Sequence, residues 1–144
     1  MPGKILVVDD EPDMRELFNI TLTMAGFKTE TAKDGQEAVA KLKDGGLPDL
    51  VVLDLMMPRL DGFGVLGHVR EKMADKPLRV LVATAKVLEE ADHELLSTWP
   101  VFDVLDKDKF DIVHFITRVN EILTKNPNKH QNGGSQLLGR KLTD

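Results

Sequence analysis

The sequence has no cysteine and no tyrosine, only one tryptophan, and no hydrophobic run long enough to cross a bilayer. The absence of cysteine excludes a disulfide framework, a thiol nucleophile and a thiolate metal site. The first four residues are followed by too few apolar residues for a signal peptide. We therefore expect a soluble, cytoplasmic protein that does not enter a membrane.

The remaining composition is that of one ordinary globular domain: 144 residues, 42% hydrophobic and 30% charged. The net charge of −5 is unevenly distributed, because residues 125–144 carry three net positive charges and residues 1–124 carry eight net negative ones. We predict a folded domain over 1–124 and a flexible basic tail over 125–144, where Asn132-Gly133-Gly134-Ser135 has the composition of a linker. The acidic domain is not expected to bind DNA directly.

The domain alternates short apolar runs with longer segments of helical periodicity. The runs, which predict strands, cover residues 4–8, 50–53, 79–83 and 102–105 and are continuous, as in strands buried on both faces of a parallel sheet. Residues 28–32, with alternating threonines, predict a fifth, more exposed strand. The intervening segments predict five helices, the first stopped by Gly26, the second by Gly45-Gly46, and the fourth covering about 87–96. The pattern predicts a doubly wound α/β fold, (βα)5, with helices on both faces of the sheet.

Polar residues follow the predicted strands where they end. Asp9 and Asp10 follow the first strand, Asp54 the third, Thr84 the fourth and Lys107 the fifth. Parallel strands bring their carboxyl ends to one edge of the sheet, so these side chains can converge. One aspartate at a strand end is more often a turn residue or a helix cap. Three acids in one cleft, however, require a cation or a proton.

This set of groups indicates a particular chemistry. Oxygen donors without histidine or cysteine favour a hard cation, and Mg²⁺ is the natural occupant. An added lysine and hydroxyl can hold a phosphoryl group while a carboxylate acts as the nucleophile.

Four segments carry a family resemblance: KILVVDDEP at 4–12, PDLVVLDLMMPRLDG at 48–62, VATA at 82–85 and LDK at 105–107. Together they resemble the receiver domain of two-component response regulators, over about residues 3–124. The resemblance implies a flavodoxin-like five-stranded sheet of order 2-1-3-4-5. It also implies a stand-alone receiver that acts through a protein partner and is not an enzyme on outside substrates.

The resemblance assigns a role to each residue at the sheet edge. Asp54 accepts a phosphoryl group from a histidine kinase or a phosphotransfer protein. Asp10 and Asp54 bind Mg²⁺ directly, Asp9 binds it through water, and the backbone carbonyl of Met56 completes the protein ligands.

The same resemblance implies how the phosphoryl group is held and read out. Lys107 pairs with the phosphoryl oxygens, and the Thr84 hydroxyl turns inward to bond one of them. The surface formed by the fourth helix, the fifth strand and the fifth helix then switches the binding of a downstream protein target. Met56 and Lys86 stand at positions that line the path of attacking water, and we hypothesise that the bulk of Met56 lengthens the life of the acyl phosphate.

The sequence departs from the family pattern near the fifth strand. Receivers usually carry a tyrosine or phenylalanine three residues before the lysine, where this chain has Val104. The switch is then read through another group, with Trp99 and Phe102 as candidates against an ordinary packing role for both. The lysine normally precedes a proline, often through a cis bond, but Asp108 follows Lys107 here. Either a costly cis bond persists, or the bond is trans and the loop takes another path.

Two other functional classes remain open. A Mg²⁺-dependent hydrolase of the haloacid-dehalogenase type uses the same groups, but its nucleophile lies on the first strand and its acidic pair comes last. A pseudo-receiver would bind partners without being phosphorylated, although it usually lacks one of the residues that are present here. The G-x-G-x-x-G at residues 62–67 does not follow the first strand, so we assign Gly64 and Gly67 to close helix packing.

Overall fold

The computed structural model describes residues 3–44, 46–72 and 78–125 of the chain. The five strands are β1 Lys4–Val8, β2 Lys28–Ala32, β3 Leu50–Leu53, β4 Val80–Thr84 and β5 Val101–Asp106. The five helices are α1 Pro12–Met24, α2 Gly35–Asp44, α3 Gly62–Lys72, α4 Glu90–Leu96 and α5 Ile112–Leu123, with a 3₁₀ turn at Lys107–Lys109. Most of the predicted tail, including the glycine-rich linker, lies outside the described residues.

The strands form one parallel sheet in the order β2-β1-β3-β4-β5. The predicted fold class and strand order are therefore confirmed. The order reverses between β1 and β3, and in such sheets ligands bind outside the carboxyl ends of the strands at this point.

The hydrophobic core lies on both faces of the sheet. Alternate strand residues such as Leu6 and Val51 pack with α2, α3 and α4, while their neighbours such as Ile5 and Leu50 pack with α1 and α5. Side chains of successive strand residues point to opposite faces, so a strand that is covered twice needs apolar residues at every position. This accounts for the continuous apolar runs in the sequence.

The boundaries of the helices follow local chemistry. Pro12 occupies the first turn of α1, and Gly26, at φ +99°, ends it. The prediction for the fourth helix was wrong at its start, because α4 begins at Glu90 and Val87 is an exposed loop residue. The carboxylate of Asp92 accepts the N–H of Glu89 at 2.9 Å, which satisfies a backbone donor where α4 begins.

The glycines of α3 differ in how closely neighbouring atoms approach them. A Cβ at Gly64 would lie 2.3 Å from the Leu60 side chain, so the predicted close packing is confirmed there. At Gly67 the prediction was wrong, since a Cβ would meet nothing within 4 Å. Gly62 allows the closest approach to the strand ends, because a Cβ there would lie 2.4 Å from the carbonyl oxygen of Asp54.

Candidate functional site

The carboxyl ends of β1 and β3 bring two aspartates side by side. The backbone N–H of Asp9 donates to Ala32 at 3.1 Å, and that of Asp54 donates to Val8 at 3.0 Å, so the sheet ladder continues up to both residues. Their side chains are 1% and 3% exposed. The sheet therefore fixes two buried carboxylates at the point where its strand order reverses.

Lys107 reaches these carboxylates from the end of β5. Its Nζ lies 2.9 Å from Asp9 Oδ2 and 3.2 Å from Asp54 Oδ2, and it also donates to the carboxylate of Glu11. The Lys107 side chain is 4% exposed, whereas that of Glu11 is 59% exposed. We call Asp9, Glu11, Asp54 and Lys107 the ion-pair cluster.

The cluster shifts the protonation of two of its members. Burial lowers the pKa of Lys107, but hydrogen bonds to Glu11 and Asp9 and the negative charges of Asp54 and Asp9 outweigh burial, so the net pKa is raised. Burial raises the pKa of the Asp9 carboxyl and exceeds the opposing effect of the hydrogen bond from Lys107. Lys107 is therefore a permanent cation of the site at neutral pH.

Backbone donors orient the two aspartates further. Asp9 Oδ1 accepts the N–H of Glu11 at 2.9 Å, and Asp54 Oδ1 accepts the N–H of Met56 at 3.1 Å. Each aspartate thus has one oxygen fixed by the loop that follows it and the other directed at Lys107. For Asp54, this leaves a defined oxygen facing the cation.

Three acidic side chains of the cluster could hold a metal ion. Carboxylate oxygens of Asp9, Glu11 and Asp54 all lie within 4.8 Å of one another. A donor set made only of oxygens fits a hard divalent cation and excludes a thiolate or imidazole site. The three histidines of the described residues, His68, His93 and His114, do not enter any such group.

Asp10, predicted as a direct metal ligand, does not belong to this group. It is only partly buried, and the carboxylates that converge come from the residues on either side of it, Asp9 and Glu11. The backbone at Glu11 is still extended, with φ −82° and ψ 116°, and residues two apart in an extended chain share a side. Sequence reasoning assigned no role to Glu11; the run of three consecutive acids was its only signal.

Thr84 and Met56 are the remaining predicted site residues. Thr84 is buried at the end of β4, and its Oγ1 accepts the N–H of Lys86 at 3.2 Å. Among the described residues it makes no hydrogen bond to Asp54 or Lys107. The Met56 side chain is 57% exposed and lines a pocket beside the site. The pocket, of about 440 Å³, is lined by Leu55, Met56, Met57, Asp61, Phe63 and Lys86.

The departures around β5 have structural outcomes. No cis peptide bond occurs in the described residues, so the bond after Lys107 is trans, and a 3₁₀ turn follows in which Asp106 Oδ1 accepts the N–H of Asp108 at 2.9 Å. Val104 is buried in the core on the α2–α3–α4 side of the sheet. Trp99 shares that core, with its ring centroid 6.1 Å from that of Phe63, whereas Phe102 packs on the opposite face.

Among the described residues, no helix has both the length and the apolar character that are needed to cross a membrane.

The sequence matches the family model of the response regulator receiver domain over residues 5–120. A curated relative, the response regulator MprA of Mycolicibacterium vanbaalenii, is 46% identical over 89 residues, which are 62% of this chain and 38% of that protein. The chain thus spans about a third of the length of the curated relatives that it matches.

Solved structures agree with the sequence comparison. The response regulator TrrA of Thermotoga maritima, crystallised with Mg²⁺ and beryllium fluoride, is 35% identical with a TM-score of 0.71, over 85% of this chain and 99% of that one. The receiver domain of a Francisella response regulator is 30% identical with a TM-score of 0.74, over 85% and 97% of the two chains.

Proposed function

Because the chain belongs to the response regulator receiver domain family of two-component signalling, we propose that Asp54 accepts a phosphoryl group from a histidine kinase or a phosphotransfer protein. The observation that supports this most directly is the position of Asp54: a buried carboxylate at the sheet edge with the Lys107 ammonium 3.2 Å from its Oδ2. A fixed nucleophile beside a permanent cation suits attack on an anionic group.

Each residue of the site has its own role in the proposed phosphoryl transfer. The Asp54 carboxylate attacks phosphorus, a P–O bond forms, and the bond from phosphorus to the donor nitrogen breaks, with the electron pair left on the donor imidazole. Lys107 balances the charge on the transferred oxygens. Thr84 Oγ1 now acts as an acceptor for Lys86, so its own proton remains available for a phosphoryl oxygen. Catalysis is then mainly positioning and electrostatics.

We infer a requirement for Mg²⁺. The oxygen-only donor set fits it, and TrrA was crystallised with it. In our proposal Asp10 and Asp54 bind the ion directly, Asp9 binds through water and the Met56 carbonyl supplies a further oxygen. Direct binding by Asp10 requires its partly buried side chain to turn toward the three carboxylates that converge in the structure. When bound, the ion neutralises charge on the phosphoryl oxygens.

The output surface that we propose comprises α4, β5 and α5, and its occupant is a downstream protein target. Val87 before α4, Leu95 on α4, and Ile112 and Val113 on α5 are exposed apolar residues near or on these elements. A phosphoryl group on Asp54 that accepts a hydrogen bond from the Thr84 hydroxyl would shift the equilibrium between two conformations of the loop that follows β4. Direct DNA binding is not part of the proposal, and we expect the domain to work in the cytoplasm.

A phosphorylation experiment tests the proposal. The protein is incubated with Mg²⁺ and a small acyl phosphate, and intact mass is measured. We expect one phosphoryl adduct that hydroxylamine removes, that Asp54→Asn lacks, and that the variant of an exposed acid on α1, Asp13→Asn, retains. Steady turnover of phosphate esters would instead indicate a hydrolase, and no adduct with any donor would indicate a pseudo-receiver.

A further inference from the structure

Glu11 is the one member of the ion-pair cluster that lies at the surface. Its side chain is 59% exposed, yet it hydrogen-bonds an ammonium that is 4% exposed. The other two acids of the cluster are almost completely buried. Glu11 can therefore exchange its contact with Lys107 for water at little cost, and its buried partners cannot.

The backbone holds Glu11 over the site. Its N–H donates to Asp9 Oδ1 at 2.9 Å, its carbonyl accepts the N–H of Arg15 at 2.9 Å, and Pro12 follows it as α1 begins. Lys107 opens the 3₁₀ turn after β5. A single ion pair thus connects the start of α1 to the β5–α5 connection, between residues 96 positions apart.

Three carboxylates surround the Lys107 ammonium. Its Nζ donates hydrogen bonds to Glu11 and Asp54 and lies 2.9 Å from Asp9 Oδ2. A phosphoryl group on Asp54 brings new acceptor oxygens that need these donors. The new oxygens compete with the carboxylates already packed around the ammonium, and the exposed one, Glu11, gives way most cheaply.

We propose that Glu11 is a positioning residue that holds Lys107 in the unphosphorylated chain and competes with the phosphoryl group for it. This inference rests on the proposed function of Asp54. Glu11 then opposes the phosphorylated state and helps to set how readily the domain switches.

The test uses Glu11→Gln, which keeps the backbone hydrogen bonds and removes the charge. First, the Lys107 Nζ resonance is recorded by ¹⁵N NMR in the metal-free protein, where Glu11→Gln should shift it or broaden it by faster proton exchange. Second, calorimetry measures the affinity for beryllium fluoride with saturating Mg²⁺. We expect Glu11→Gln to bind about twofold to fivefold more tightly than the wild type, the range for an ion pair with one solvent-exposed partner.

Two controls separate competition for Lys107 from a general charge effect. Glu16 is an exposed acid on the same helix, and Glu16→Gln should leave the affinity within about twofold, as expected for a distant surface charge. In a Lys107→Gln background, Glu11→Gln should no longer tighten binding, because the group for which it competes is gone.

Each other outcome overturns a defined statement. If Glu11→Gln leaves the affinity for beryllium fluoride unchanged, or if Glu16→Gln tightens it equally, the proposed competition is wrong. If Glu11→Gln weakens binding, the competition is also wrong, and Glu11 is instead a metal ligand. An unmoved Lys107 resonance overturns the ion pair itself. If the wild type does not bind beryllium fluoride while the resonance still shifts, the proposed function and the competition fail together, and only the contact stands.

Discussion

Replacing Gly62 by alanine should both destabilise the fold and displace the phosphoacceptor. A Cβ at this position would lie 2.4 Å from the carbonyl oxygen of Asp54 and 2.6 Å from the Cα of Leu55. Gly62 also donates its N–H to the carbonyl of Leu55 at 3.1 Å, so the start of α3 rests directly on the exit of β3. Both clashing atoms are backbone, and no side-chain rotation can relieve the contact.

The magnitude follows from the overlap. Non-bonded heavy atoms prefer about 3.5–4.0 Å, so α3 and the end of β3 must separate by about 1 Å. Overpacking of this kind costs about 1–3 kcal/mol. Gly67 provides the matched control in the same helix, because a Cβ there meets nothing within 4 Å. Gly67→Ala should stabilise the protein by about 0.8–1 kcal/mol through helix propensity alone.

Urea unfolding followed by circular dichroism measures both variants. With a slope of about 2 kcal/mol per molar urea, Gly62→Ala should lower the midpoint by about 0.5–1.5 M and Gly67→Ala should raise it by about 0.4–0.5 M. Gly62→Ala should also slow phosphoryl uptake, since the Asp54 backbone moves with β3. A free energy of unfolding for Gly62→Ala within about 0.5 kcal/mol of the wild type would refute the reasoning, because surface substitutions already give changes of that size.

Three further predictions concern the site and its surroundings. Met56→Asn should speed dephosphorylation several-fold by admitting water; an unchanged decay of the phosphorylated protein would refute this. The pKa of Asp34 is lowered, first by the N–H of Glu37 and also by Arg59, so Asp34 should stabilise the fold above its unfolded pKa of 3.8 and lose this effect as pH falls through the lower folded value. Asp34→Asn should therefore lose more stability at pH 6 than at pH 3 in urea unfolding, and an equal loss would contradict the assignment. Asp103→Asn should cost about 1–3 kcal/mol by weakening its buried ion pair with Arg118, and a midpoint equal to the wild type would exclude that pair as a source of stability.

The sheet could be predicted closely because most of its strands are buried on both faces. β1 and β3 have the bounds expected from their apolar runs, and β2, which is only partly buried, has the bounds expected from its alternating threonines. The start of α4 could not be predicted from periodicity, because Val87 continues the apolar spacing but lies 85% exposed in the loop. The hydrogen bond from the Glu89 N–H to Asp92 marks that boundary, and a hydrophobicity pattern contains no information about such a bond.

Long-range polar contacts were the least predictable feature. Asp103 interrupts the apolar run of β5, and sequence patterning gives no reason for its burial. The structure supplies one, since Arg118 of α5 donates to its carboxylate and Val104 donates a backbone N–H at 2.7 Å. A buried acid is stable only with such partners, and a partner 15 residues away is set by packing between elements.

The orientation of the acidic side chains at the site could not be predicted either. Strand ends located the acids at one edge, but the sequence alone could not tell which of three consecutive acids turn inward. In the structure the extended backbone directs Asp9 and Glu11 to the site and leaves Asp10 between them partly exposed. The spacing of side chains along one extended segment thus decides which acids face Lys107.

The charge of the ion-pair cluster explains why these details matter for switching. Three carboxylates within 4.8 Å of one another repel by at least about 3.5 kcal/mol per pair at an effective dielectric near 20. One ammonium in contact with all three offsets much of that repulsion, but two formal negative charges remain when all four groups are ionised. A phosphoryl group adds negative charge at the same place. Phosphoryl transfer to Asp54 therefore depends on additional positive charge and on a lysine free to turn toward the new oxygens, and the hold of Glu11 on Lys107 opposes the second of these conditions.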